Sequence, residues 1–260
     1  MRITIIGCGN MGSGIAQRFA PLHDVYLYDR NMQKVEQLVK QGCGKVCHNL
    51  DEAFKTSDIL LLAIKPQNLD AFVQTIPSQT KKDQTILSIL SGVTLKKLQS
   101  LFPNNTVVRM MPNLAIIYGE GLIGLAAENL SSEQKEVYTD LCSSLGKVYW
   151  FPEPKFNAFT SLGGCGPAFV LTLIEAMTES GIAMGFNAKD SLHIVLQMIK
   201  GSIELLEKGD EHPAELRWKI ASPGGLTIAG MRKMEELGVR AGIMNTFLAT
   251  YERTKELENE

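Results

Sequence analysis

The sequence predicts an α/β protein, with an N-terminal Rossmann-type, doubly wound and mostly parallel sheet followed by an all-helical domain. Three observations carry this. Up to about residue 150, short runs rich in Ile, Val and Leu alternate with helical patterns. Those runs show little polar alternation, as expected of strands buried on both faces. No strand candidate follows about Phe151, where long apolar helical patterns take over.

Taken in order, "RITIIG" is a strand and the helix after it spans about Met11 to Ala20. "DVYLYD" leads to a helix around Gln33 to Gln41, and "GKVC" precedes the helical "NLDEAFKT". "DILLLAIKP" is a strand followed by a helix starting near Gln67. "QTILSIL", "TVVRMMP", "GEGLIGLAA" and "GKVYWFP" complete the strands. "FPEPK" marks the change of rhythm, which places a domain boundary near residue 154: residues 1–154 bind a dinucleotide and 155–260 are helical. A long apolar pattern runs from Phe156 to Gly185, and two further long helices are capped by Asn187 and Gly238. Their apolar faces are broad for so small a domain, so a second subunit is expected to cover them.

The totals narrow the function. A net charge of -2 offers no basic excess for nucleic acid. No uninterrupted run reaches the ~18 apolar residues of a membrane span, and no leader pattern opens the chain, so a cytoplasmic location without membrane attachment is expected. Five scattered cysteines (Cys8, Cys43, Cys47, Cys142, Cys165) suit reduced thiols. Cys43, Cys47 and His48 lack the second pair of a metal site and read as packing residues.

Gly7, Gly9 and Gly12 form G-x-G-x-x-G directly after a strand and at a helix start, the context that gives this pattern meaning. Gly7 permits the turn, Gly9 lets a pyrophosphate approach, and Gly12 lets the helix pack on the strand. Asn10 and Met11 lie at the helix N-terminus, where unpaired N–H groups favour an anion. Asp29 lies 17 residues beyond Gly12, at the end of the second strand, and suits a ribose 2′-OH; adjacent Arg30 suits a 2′-phosphate. NADPH and NADH therefore both remain open. Ala63, Lys65 and Pro66 end one strand, and Asn113 ends another, at the edge where such sheets bind ligands; all four are cofactor candidates. Arg109, inside the latter strand, reads as a structural ion-pair residue.

In the second half, Ser222, Pro223, Gly224 and Gly225 break one helix, while Leu226 and Thr227 start the next. This helix N-terminus, with a hydroxyl at Thr227, suits a small carboxylate. No proton donor stands out. His193 reads as a core residue, His212 as a helix start, and Glu175 with Glu179 as an exposed or subunit-facing pair.

The stretches "IGCGNMG", "AIKPQ", "VRMMPN" and "SPGGLTIAGMRKME" resemble, in order and spacing, the pyrroline-5-carboxylate reductase family. The resemblance spans Arg2 to about Glu256. It implies hydride transfer from a nicotinamide cofactor to the C=N bond of a cyclic imino acid, giving proline. It also implies a homo-oligomer, at least a dimer through the C-terminal helices, with the active site in a cleft between cofactor domain and paired helices. Ser222, Gly224, Gly225, Leu226 and Thr227 would bind substrate, and Thr227 would be catalytic. In "GGCGPAF", Gly163 and Cys165 stand where the family has serine and Phe169 where it has tyrosine, which removes hydroxyls and any contact they make. Two alternatives are a 3-hydroxy-acid-type dehydrogenase, for which Lys189 and Lys200 lack the expected setting, and a cofactor-binding protein without turnover.

Overall fold

Strands that bury every side chain need covering on both faces, and the chain winds helices accordingly in a computed structural model describing residues 1–77, 81 and 83–259. The chain begins with β1 (Arg2–Ile6), α1 (Asn10–Phe19), β2 (Asp24–Tyr28), α2 (Met32–Lys40), β3 (Lys45–Val46), α3 (Leu50–Thr56) and β4 (Ile59–Leu62). Next come α4 (Leu69–Val73), β5 (Thr85–Ser88), α5 (Leu95–Leu101), β6 (Thr106–Pro112), β7 (Gly121–Ala126), α6 (Ser132–Ser143) and β8 (Gly146–Trp150). The rest is helical: α7 (Phe156–Phe159), α8 (Gly166–Ala183), α9 (Ala188–Lys208), α10 (Pro213–Ile220), α11 (Leu226–Glu236) and α12 (Val239–Asn259).

The eight strands form one sheet in the order β3-β2-β1-β4-β5-β6-β7-β8. Pairing is parallel from β3 through β6, antiparallel between β6 and β7, and parallel again between β7 and β8. This is the expected doubly wound, mostly parallel architecture. The strand order reverses between β1 and β4, opening a crevice at their C-terminal ends. Ile3 and Ile5 pack with Phe19, Leu27 and Leu61 on one face, and Ile6 packs with Phe54, Leu60 and Leu62 on the other. The buried Thr4 hydroxyl is satisfied by that of Ser57 at 2.6 Å.

Packing divides the chain into two units, residues 1–165 with 250–260, and residues 166–249. The change of rhythm near residue 154 marks the end of the strands, whereas the packing boundary falls later and the end of α12 joins the first unit. Arg109 is the reason. Its side chain on β6 is only 2% exposed and donates to Glu153 Oε1 at 2.6 Å and Glu258 Oε1 at 3.2 Å. The guanidinium lies over the Phe156 ring, 4.5 Å from its centroid. Glu258 also accepts from Asn157 Nδ2 at 2.6 Å, and Glu153 accepts the Leu95 N–H at 2.6 Å.

The single long helix expected from Phe156 is interrupted. After α7 the backbone widens into π-type turns over Thr160–Cys165 before α8 begins. Asn113 Nδ2 donates to the Gly163 carbonyl at 2.9 Å within these turns, which diverts one acceptor from the helical ladder.

In the second unit α8 and α9 approach closely where a side chain on Gly181 would strike the Ser191 hydroxyl, which donates to the Thr178 carbonyl at 2.7 Å. Otherwise this unit buries little: α10 and α11 have no buried residue, and Leu171, Ile194, Met198 and Trp218 are exposed in the single chain. His193 is exposed too, contrary to the core position expected of it, because α9 has no covering layer within one chain. Glu153–Ala183 is long and apolar enough, by length and composition alone, to cross a membrane.

A buried guanidinium between two carboxylates loses a partner at high cost. Glu153→Gln is expected to lower unfolding free energy by about 3 kcal/mol, and Glu258→Gln by less because Glu153 remains. Denaturant midpoints measure this; an unshifted midpoint in Glu153→Gln would remove the anchor role.

Candidate functional site

The crevice between β1 and β4 is lined first by backbone. Gly7 leaves β1 with φ of +106°, and a Cβ there would sit 2.5 Å from the Ala63 carbonyl oxygen. A Cβ on Gly12 would collide with the Gly7 carbonyl oxygen, so α1 lies as close to the strand as only glycine permits. Gly9 differs, for no protein atom lies within 4 Å of its Cβ position. The first intrahelical bond of α1 runs from the Ser13 N–H to the Gly9 carbonyl at 2.8 Å. The amides of Asn10, Met11 and Gly12 therefore lack intrahelical acceptors, and the first turn has no acidic residue. Open space, free donors and a positive helix end together fit a phosphate.

A cavity of about 670 Å³ extends from this loop. Gly7, Gly9, Asp29, Arg30, Ala63 and Lys65 line it, as do Tyr28, Lys34, Asn68 and Phe72, which the sequence reading did not single out. Tyr28 ends β2 and Asn68 closes the 3-10 turn after β4, while Lys34 and Phe72 reach the cavity only because α2 and α4 fold beside it. Pro66 opens a 3-10 turn over Pro66–Asn68 at the rim. Asn113 is not part of this lining. Besides its bond to Gly163, its Oδ1 accepts the N–H groups of Ala115 and Leu122, both at 3.3 Å. That side chain is committed to holding the end of β6, the start of β7 and the π-type turns.

Asp29 is placed at the loop rather than free in the cavity. Its Oδ2 accepts the Cys8 N–H at 2.7 Å and its Oδ1 accepts the Asn31 N–H at 2.9 Å. Burial, and then the Asp29 charge, push the Cys8 thiol up to about 12. Cys8 is therefore neutral at physiological pH and adds no negative charge to a phosphate-binding loop.

In the second unit, the Ser222–Thr227 segment folds as expected. Gly224 has φ of +67°, the Gly225 N–H donates to the Ser222 carbonyl at 3.0 Å, and Gly225 caps α11. A side chain on Gly225 would strike the Ser222 hydroxyl. The first turn of α11 has no acid, and its leading amides face solvent beside the exposed Thr227 hydroxyl. Leu226 is 95% exposed. His212 caps α10, accepting from the Ala214 N–H, as its position before Pro213 suggests.

The replaced serines and tyrosine also have a structural answer. A Cβ on Gly163 would contact the Phe159 ring at 3.4 Å and Leu122 at 3.6 Å, so this position faces the core rather than a ligand. Phe169 packs edge-to-face on Phe247 with ring centroids 5.1 Å apart. Cys165 is half-buried, and burial raises its thiol pKa.

A glycine loop, a free helix N-terminus and a large cavity at the switch point of a doubly wound sheet define a Rossmann-type dinucleotide-dependent oxidoreductase. Comparison with known proteins narrows this class. Residues 2–92 match the family model described as NADP oxidoreductase, coenzyme F420-dependent, and residues 153–257 match that described as pyrroline-5-carboxylate reductase dimerisation. A pyrroline-5-carboxylate reductase of Synechocystis is 33% identical over 99% of this chain and 98% of its own. One from Aquifex aeolicus is 33% identical over 99% and 97%. The structure of pyrroline carboxylate reductase from Plasmodium falciparum with NADP bound superposes with a TM-score of 0.89 at 27% identity, covering 99% of this chain and 98% of the other. The 1-pyrroline-5-carboxylate reductase of Streptococcus pyogenes gives 0.90 at 27% identity, covering 98% of each. The chain belongs to the pyrroline-5-carboxylate reductase family, whose members are NAD(P)-dependent oxidoreductases, and the match of residues 153–257 makes its helical part a region of self-association.

The two kinds of glycine make opposite predictions. Gly9→Val is expected to cost only about 1 kcal/mol of stability, since Gly9 is the N-cap of α1, yet to weaken NADP⁺ binding more than ~10-fold by filling the phosphate position. Gly12→Ala is expected to lower the melting temperature. Calorimetric titration and thermal unfolding separate them; full NADP⁺ affinity in Gly9→Val would mean that the phosphate lies elsewhere.

Proposed function

We propose that this protein reduces the C=N bond of 1-pyrroline-5-carboxylate to give L-proline, the final step of proline biosynthesis. The observation that carries the reading is the full-length match at 33% identity to relatives bearing that name, with both amide-lined helix starts intact in this chain. When bound, NAD(P)H supplies the hydride. Gly7, Gly9, Asn10, Met11 and Gly12 hold its diphosphate with backbone N–H groups and close packing, while Ala63, Lys65 and Pro66 shape the other side of the crevice.

The amides of Leu226 and Thr227 hold the substrate carboxylate and the Thr227 hydroxyl adds a donor, while Ser222, Gly224 and Gly225, whose N–H is held by the Ser222 carbonyl, set the turn. A small acid anion at a helix start gains both the unpaired N–H groups and the helix dipole. A protonated imine is already a strong electrophile, so the protein's main work is to orient the acid and exclude water. Asn113 acts at one remove, by fixing the turns that lead into α8. The core-facing Gly163 position means that the missing serine there costs no ligand contact, which supports turnover over mere cofactor binding.

A second copy of the chain covers the open apolar faces of α8 to α12, so the functional form is at least a dimer. Sedimentation of the full chain at micromolar concentration is expected to show a dimer or a larger assembly; a monomer under active conditions would overturn this. Thr227→Val is expected to raise KM for the imino acid about 10-fold, the effect of losing a hydrogen bond to a charged group, with little change in KM for the cofactor. Steady-state consumption of NADPH checks it, and an unaltered imine KM would remove Thr227 from the site.

A further inference from the structure

The cavity at the glycine loop draws on the ends of β1, β2 and β4, and no described residue beyond Thr75 lines it. A dinucleotide has two halves, and a doubly wound sheet seats them on either side of its switch point. The nicotinamide half must therefore reach past β4 toward the end of β5. Residues 89–94, between β5 and α5, stand at that edge and are held at three points. First, the Ile89 N–H donates to the Leu62 carbonyl at the end of β4, 3.1 Å away. Second, the Leu95 N–H, in the first turn of α5 and without an intrahelical acceptor, donates to Glu153 Oε1 at 2.6 Å. Third, Gly92 turns with φ of +74°, and a Cβ there would lie 3.1 Å from the Leu257 carbonyl oxygen in the last turns of α12. Both the positive φ and this closeness call for glycine.

The third point lasts only while the end of α12, which packs with the sheet unit, stays in place. Leu257 leaves its side chain exposed, so the attachment falls to its neighbour Glu258. Glu258 Oε1 accepts from Arg109 Nη1 at 3.2 Å and Oε2 from Asn157 Nδ2 at 2.6 Å. Apolar side chains of similar volume often give as much stability as a buried ion cluster. What this cluster adds is position, since Arg109 holds both the carboxylate that meets α5 and the one that ends α12. Resting on the nicotinamide-dinucleotide reading above, we infer that Glu258 is a positioning residue for hydride transfer: through the end of α12 it sets the β5–α5 loop against which the nicotinamide half of the cofactor rests. It touches neither cofactor nor substrate. Its loss lets the loop drift, and a misplacement of about 1 Å at the reacting carbon costs up to ~100-fold in rate. The adenylate half, anchored from the α1 amides, does not depend on it.

The test compares the two halves of the cofactor on the full-length protein. NADP⁺ and adenosine 2′,5′-bisphosphate, which carries the adenylate half alone, are titrated calorimetrically into the parent, Glu258→Ala and Glu258→Gln. Glu258→Ala is expected to bind NADP⁺ about 10-fold more weakly and to lose about 10-fold in kcat, while holding the bisphosphate within about twofold of the parent. Glu258→Gln keeps a side-chain carbonyl for Arg109, so the same selective loss is expected at about threefold, and it carries the test if the alanine variant is too unstable to assay. Hydrogen exchange reads the loop itself: amides of residues 89–95 should exchange faster in the variants, and those of residues 9–13 should not. Equal weakening of the two ligands, undiminished NADP⁺ affinity and kcat in both variants, or unchanged exchange at residues 89–95 would each overturn the assignment while leaving the cofactor site in place. Failure of the parent to bind the bisphosphate, NADP⁺ and NADPH would overturn the underlying reading as well.

Discussion

The closeness of three backbone segments, where β1 turns into α1 and passes the end of β4, is the constraint on which the rest depends. Gly7 turns with positive φ against the Ala63 carbonyl, and Gly12 brings α1 against the Gly7 carbonyl. These contacts aim the free end of α1 at the mouth of the crevice. A helix start is a weak anion site when it can drift; here its position is set by steric contact on two sides. Asp29 adds a third restraint by holding the Cys8 N–H, so the loop is shaped before any ligand arrives.

The same unit solves a second problem at its far side. β6 carries an arginine whose charge is buried, which is tolerable only with carboxylates at hand. Glu153 comes from just after β8 and Glu258 from the last turns of α12. One cation thus draws together segments about 150 positions apart, and it explains why residues 250–260 pack with the sheet while residues 166–249 form a unit of their own. Asn113, four residues beyond Arg109 in "VRMMPN", works in the same spirit by tying β6 to the π-type turns. These two neighbours organise structure around the sheet's end, whereas the cofactor cavity draws on β1, β2 and β4.

The helical unit has the opposite character. Asn187 and His212 cap α9 and α10, yet the helices leave Leu171, Trp218 and Leu226 in water. Burying such side chains is worth roughly 1.5–3 kcal/mol each, a gain the single chain forgoes. The family match of residues 153–257 to a dimerisation region accounts for it.

Much of this was legible in the sequence, since local rules govern it. Runs of Ile, Val and Leu between helical patterns determine a parallel sheet, and G-x-G-x-x-G after a strand determines a phosphate loop. Pro at the first turn of α10 and Gly at 224 and 225 determine where helices stop and start. Such signals act within a few residues, where backbone sterics and capping decide. What only the tertiary structure decided involves partners far apart in the chain. Asp29 became a loop brace because the fold brings the Cys8 N–H to it across 21 positions, Asn113 became a tie to the π-type turns because Gly163 takes its amide, and Lys34 entered the cavity because α2 packs beside β2 and β3. A side chain with several hydrogen-bonding options shows its role only when the competing donors and acceptors are all in place, and no pattern in the sequence alone ranks them.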